Sequence, residues 1–267
     1  MSERTGAYAD VNGISLYHEV HGEGRPLVLL HGGLMSGEGF DHLLPALTER
    51  HQVVLVDLQG HGRTADVDRP LSTQTMADDV AALVEHLGLG QVDVVGYSLG
   101  GGVALQVAVR HPEVVRRLVM CSVNLTHDAI DPEIRAQQGQ VNAAAAEFMK
   151  ETPMYELHQR VNPRPEDFPR LLDKIGAAMA EPLDATEDVR GLRVPTLVMA
   201  ADADMAPPRH YVDVFALLGG GQRDGGWDGS GRPEGGHALA IVPGTTHYDI
   251  TDSPLFGANV LAFLDRD

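Results

Sequence analysis

The sequence predicts an α/β fold, and three observations carry that prediction. Short apolar runs rich in β-branched residues recur along the chain. Segments with apolar residues at 3.6-residue spacing lie between them. The runs are apolar at consecutive positions, which is how a strand buried on both faces of a parallel sheet reads. Strand and helix in alternation imply right-handed crossovers.

In order, residues 7–20 alternate around Asn12-Gly13, a dipeptide favoured in tight hairpins, and predict strand, turn, strand. The run Pro26-Leu27-Val28-Leu29-Leu30-His31 predicts a strand ending in Gly32-Gly33. Gln52-Val53-Val54-Leu55-Val56-Asp57 predicts the next, ending in Gln59-Gly60-His61-Gly62. After Ser72-Thr73, residues Met76, Val80, Leu83, Val84 and Leu87 mark one helical face that Gly88 closes. Val92-Asp93-Val94-Val95-Gly96 predicts a strand, residues 101–110 a helix stopped by His111-Pro112, and Arg117-Leu118-Val119-Met120-Cys121 another strand. The rhythm then breaks. Residues 124–190 hold no convincing strand and read as helical, with patterns around Ala143-Ala144-Ala145-Ala146 and over 166–180. Strands resume at 194–200 and 238–242, and a last helix is expected near 254–264. Residues 219–236 are glycine-rich and precede a strand, so they are not a phosphate cradle of the kind that opens a helix. They read as an irregular surface loop, with a part in the site or a subunit contact as the alternative.

Composition bounds the function. The 267 residues allow one large domain or two small ones. A formal charge of −18 argues against a nucleic-acid or anionic-membrane partner. The single cysteine, Cys121, forms no internal disulfide and fits a reducing compartment. The first residues are polar, and no run approaches 18 apolar residues, so a cytoplasmic location is expected. Oligomeric state is left open, a homodimer included.

The most informative motif is Gly96-Tyr97-Ser98-Leu99-Gly100, directly after a strand and before a helix. So sharp a reversal strains its middle residue, needs small flanking residues, and holds the Ser98 hydroxyl above the sheet. Serine needs a base, and the base needs a third group to orient it. The later strand ends supply Ala201-Asp202-Ala203-Asp204 and then Thr246-His247. The order Ser, Asp, His is that of one serine-hydrolase architecture. None of the thirteen histidines forms a metal-binding spacing, so no metal is expected. Structural roles in their loop motifs are expected for His31 and His61.

On His31-Gly32-Gly33, Asp57-Leu58-Gln59-Gly60-His61-Gly62-Arg63-Thr64, Gly96-Tyr97-Ser98-Leu99-Gly100, Asp204 and His247, the chain resembles the α/β-hydrolase superfamily over nearly its whole length. The resemblance implies an α/β-hydrolase fold, with a mostly parallel eight-stranded sheet flanked by helices and a helical cap inserted after strand 6. Residues 1–123 and 191–267 would form the core domain and 124–190 the cap. Ser98 would be the nucleophile, His247 the base and Asp204 the acid, with Asp202 its competitor; Ala201 and Pro208 sit at the spacings that favour Asp204. The backbone N–H groups of Gly33 and Leu99 would form the oxyanion hole. Leu34, Tyr97, Met149 and Tyr155 are candidates for the substrate pocket. For Met149 and Tyr155, as for Met154 and Met179, packing of cap helices on each other is the favoured alternative.

A serine nucleophile argues against epoxide opening and halide displacement, for which relatives use Asp. The expected reaction is hydrolysis of a small or medium carboxylic ester or lactone through an acyl-enzyme. No cofactor is required, and the only partner expected is a small acyl substrate. Carbon–carbon bond hydrolysis and cofactor-free perhydrolysis use the same triad and stay open. So does a ligand-sensing, receptor-like protein with residual hydrolysis.

Overall fold

The computed structural model describes residues 5–266. Eight strands form one sheet in the order β1-β2-β4-β3-β5-β6-β7-β8. They are β1 Ala7–Val11, β2 Ile14–His21, β3 Arg25–Leu30, β4 His51–Val56, β5 Val92–Tyr97, β6 Val115–Cys121, β7 Thr196–Ala203 and β8 Ala238–Thr246. β1 pairs antiparallel with β2, and β2 with β4; the other pairings are parallel. The hairpin turns through Asn12 and Gly13, both at positive φ, as that dipeptide predicts.

The helices are α1 Leu44–Leu47, α2 Thr73–His86, α3 Leu99–Arg110, α4 Pro132–Gln138, α5 Ala145–Met149, α6 Pro153–Val161, α7 Phe168–Ala180, α8 Thr186–Gly191, α9 Pro208–Leu217 and α10 Pro254–Leu264. Ser72 caps α2 by accepting the Thr75 amide at 3.0 Å. Consecutive strand residues feed opposite faces of the sheet. In β3, Val28 and Leu30 join a core with Val80, Val84, Val103 and Val107 of α2 and α3. Leu27 and Leu29 join a second core with Phe40 and with Phe256, Val260 and Phe263 of α10. Both faces are covered, which accounts for the uninterrupted apolar runs.

Two expected strands end early in the sequence reading. β7 runs on through Ala201, Asp202 and Ala203. β8 passes Pro243-Gly244 and ends at Thr246. The pairing shifts register between Ala201 and Ala203, and the Asp202 carboxylate accepts the amides of Gly244 and Thr245 there, at 2.9 and 3.2 Å. A side chain thus takes the place of backbone carbonyl acceptors for the two amides after Pro243, where the register shifts. Residues 124–190 are helical apart from one isolated bridge, Thr126 to Asp184. Only Ala145 and Ala146 of the four-alanine run lie in a helix. The amides of Ala143 and Ala144 are taken instead by Asp173 and Asn142 side chains, at 2.6 and 2.9 Å.

No helix among the described residues is long and apolar enough to cross a membrane.

Candidate active site

Ser98 stands between β5 and α3 with φ 53° and ψ −116°, a region costly for any residue with a Cβ. The surroundings hold it there. Its amide donates to Cys121 O at 2.9 Å, and its carbonyl accepts the Gly102 amide at 3.0 Å. The flanking glycines are steric necessities: a Cβ on Gly96 would lie 2.1 Å from Gly100 O, and one on Gly100 would lie 2.2 Å from Leu30 O. Leu99 is the first residue of α3, so its N–H is among the helix's unpaired donors.

His247 follows β8 and reaches back across the strand ends. Its Nε2 is 3.0 Å from Ser98 Oγ, and its Nδ1 is 2.7 Å from Asp204 Oδ1. Nδ1 donates to the carboxylate, so Nε2 carries the lone pair that faces the serine hydroxyl. The side chain of Asp204 is fully buried and that of His247 nearly so. Asp204 Oδ1 also accepts the Met205 amide at 2.8 Å, and Oδ2 accepts Ser122 Oγ at 2.6 Å and the Ala201 amide at 3.1 Å. Burial is the largest influence on this carboxyl and raises its pKa. The bonds from His247 and Ser122 outweigh it and hold Asp204 below its ordinary range, hence ionised. Asp202, the competing acid, spends both oxygens on the β8 backbone.

Two members of this assembly escaped sequence reasoning. Ser122, at φ 56°, ends β6 beside the acid; its only signal was a hydroxyl at a strand C-terminus. Tyr97, expected at the substrate pocket, is 4% exposed. It turns beneath the site, where its ring lies against Gly32 and its hydroxyl donates to the His247 carbonyl. As the last residue of a strand buried on both faces, it points into the core and positions the histidine backbone.

The other expected residues divide. Gly33 is exposed, and a Cβ there would touch nothing within 4 Å, so the backbone lies open beside the site. Leu34 adopts φ 58° and packs against the Ala146, Phe168 and Leu172 cluster of the helical segment. Met149 and Tyr155 pack within that segment, Tyr155 edge-on to Phe168 at 5.1 Å. His31 is fully buried: Nε2 accepts the Leu58 amide at 3.0 Å and Nδ1 donates to Gly32 O at 2.7 Å. The motif from Asp57 to Thr64 folds on itself. Asp57 accepts the amides of Gly37 and Arg63, each at 2.7 Å, and a Cβ on Gly62 would strike its carboxylate.

The helical segment docks on this motif through Leu171, which lies against Gly60, and through polar groups. Asn162 Nδ2 donates to the carbonyls of Gly60, Gly62 and Thr64. Glu38 is bridged by Arg63 and Arg160, each at 2.7 Å. Its burial opposes ionisation, but the two arginines hold its pKa at about 2. Lys174 Nζ lies 2.7 Å from Asp66. Between segment and core lies a narrow void lined by Leu34, Met154, Phe168 and two buried histidines, His61 and His158, whose Nε2 atoms find no protein partner.

The sequence matches the alpha/beta hydrolase fold family over residues 25–172, more than half of the chain. It is 33% identical to the pimeloyl-[acyl-carrier protein] methyl ester esterase of Neisseria meningitidis serogroup B, over 69% of this chain and 77% of that protein. It is 39% identical to a soluble epoxide hydrolase of Corynebacterium sp., over 44% of this chain and 41% of that protein. The chain therefore spans well under two thirds of this second relative. Among solved structures, an alpha/beta hydrolase enzyme from a Medee basin deep-sea metagenome library superposes with a TM-score of 0.77 at 19% identity, covering 98% of both chains. The protein belongs to the alpha/beta hydrolase family.

Proposed function

We propose that the protein is a serine hydrolase that cleaves a small or medium carboxylic ester or lactone through an acyl-enzyme. The observation that carries the reading is the continuous bonded relay from Ser98 Oγ through His247 to a buried, ionised Asp204. Ser98 Oγ attacks the acyl carbon as His247 Nε2 takes its proton. The tetrahedral oxyanion is held by the N–H groups of Leu99 and Gly33, each contributing about 3 kcal/mol to transition-state stabilisation. The intermediate collapses, and the leaving alkoxide takes the proton from His247. Water, deprotonated by the same nitrogen, then releases the acid. Asp204 keeps the imidazole in the required tautomer and stabilises the imidazolium. Residues 124–190 form the cap and set the size of the acyl group admitted, with Leu34 as the point of contact.

Serine at the elbow supports acyl transfer over the chemistry in the epoxide hydrolase's name. The esterase supports the same choice, although its substrate is its own. The test is steady-state turnover of p-nitrophenyl esters of increasing acyl length and of simple lactones, by wild type and Ser98→Ala. The reading requires many turnovers on short acyl groups and loss of nearly all of them in the variant. Turnover retained by Ser98→Ala would remove Ser98 from the chemistry.

A further inference from the structure

A cavity of about 570 Å³ lies where α8, the end of α9 and the glycine-rich loop meet. It falls in the range of small-molecule sites. It is far from the triad: His237 lies just before β8 and His247 just after it, and the nine residues between span about 30 Å. Its lining includes Arg190, Arg193, Arg223, Arg232 and His237, with Glu234 as the one carboxylate. Four guanidiniums at one cavity are notable in a chain that has 20 Lys and Arg against 38 Asp and Glu.

The loop sorts its charges to achieve this. Among residues 219–236 are two arginines and three acids, Asp224, Asp228 and Glu234. Both arginines line the cavity, whereas Asp224 and Asp228 do not. Asp228 is spent on the Ser230 amide at 3.0 Å. Arg190 pairs with Glu187. Arg193, Arg223 and Arg232 form no ion pair among the described residues; Arg193 and Arg223 donate only to the carbonyls of Leu192 and Ser230, each at 3.3 Å. His237 Nδ1 accepts the Thr196 amide at 3.2 Å, so the neutral ring carries its proton on Nε2. The charged side chains at the cavity are thus four cations against one carboxylate.

We propose that this cavity binds a small phosphorylated molecule, with Arg193, Arg223 and Arg232 as the phosphate ligands. Guanidinium forks match phosphate oxygens pairwise, and a multivalent anion relieves the repulsion among unpaired cations held together. The loop leads into β8 and opens no long helix, so side chains supply the charge. The site is independent of the ester reading.

The test is calorimetric titration of the full chain with pyrophosphate and with ADP at about 0.15 M salt, where exposed charges are screened within about 8 Å. Malonate serves as the carboxylate control. Saturable binding of pyrophosphate or ADP, weakened about tenfold or more in Arg223→Gln/Arg232→Gln and in Arg193→Gln, is expected, about 1.4 kcal/mol per tenfold. Tighter binding of ADP than of pyrophosphate would assign the remaining volume to a nucleoside. Ester turnover should be unchanged in all variants. Arg193 lies outside the loop, so its variant separates lost binding from a rearranged loop. No saturation at millimolar ligand, equal affinity for malonate, or unaltered binding in both variants would overturn the proposal.

Discussion

The sheet and the helical segment above it are built on different principles. In the sheet, consecutive residues of β3 and β5 enter two apolar cores, one on each face, and the triad hangs from strand ends those cores fix. The segment 124–190 has a small apolar centre of Ala146, Phe168 and Leu172. It is tied to the core by Leu125, Leu171, Ile175 and Val189, which join the apolar core on one face of the sheet, and by Asn162, Arg160 and Lys174 acting on the loops after β3 and β4. Apolar burial scales with area and tolerates no gaps. The half-exposed Arg160–Glu38 pair stabilises by about a kcal/mol or less. The chemistry therefore stands on strand ends held by two large cores, and the part we assign to substrate choice has only a small apolar centre of its own beside the residues it lends to the sheet's core.

The comparison is broken most severely by removing charge from the relay. Asp204→Asn should lower kcat by about 10⁴-fold, because the amide favours the wrong histidine tautomer. Asp202→Asn should stay within about threefold, since its oxygens serve the β8 backbone. Steady-state kinetics on a short ester settles the pair, and a larger loss at Asp202 would reverse the assignment. Next, Phe168→Ala should cost about 3–5 kcal/mol of local stability by emptying the centre of the segment. Hydrogen exchange should show the loss in residues 124–190 while the sheet stays protected; equal loss in β3 and β5 would mean the two regions are one unit.

A third outcome concerns pH. Burial pushes His31 down to about 4 and His61 to about 3, so both are neutral in the fold. The unfolded chain protonates them near 6.5. Their contribution is complete above that value and declines as pH falls toward 4. Asp57, which burial pushes from 3.8 up to about 6, acts in the opposite sense, its penalty being relieved as pH falls from about 6 toward 3.8. Two histidines against one carboxyl leave a net loss of roughly 2 kcal/mol at pH 5, at about 1.4 kcal/mol per unit per group. Melting temperature should drop by about 5 °C between pH 7 and 5. A rise would mean that Asp57 dominates. The smallest effect is expected from deleting residues 221–234, which lie at the sheet edge away from Ser98. Ester turnover should hold within about twofold, and a large fall would bring that loop into the active site.

The inner strands were legible because they are apolar on both faces, the first hairpin because it alternates around Asn12-Gly13, and the elbow because Gly96 and Gly100 have no steric substitute. The placement of Asp204 beside His247 followed from topology, since β7 and β8 bring their ends together. Three things were not legible. The extensions of β7 and β8 depend on Asp202 bonding to a strand 42 residues away. Ser122 is one polar residue at a strand end, and nothing local marks it as the partner of a carboxylate. Tyr97 is a pocket candidate from its place beside Ser98, but strand burial turns it toward the core. The arginine-lined cavity assembles residues 190–193 with 217–237, and the charge-balanced sequence of the loop conceals it.

The most direct test of the central claim is a fluorophosphonate reaction followed by mass spectrometric mapping of the adduct. The account predicts one adduct per chain, at Ser98, and no adduct in Asp204→Asn on the same timescale, because the serine is nucleophilic only while the relay is intact. An adduct at another residue, or labelling of Asp204→Asn at the wild-type rate, would contradict it.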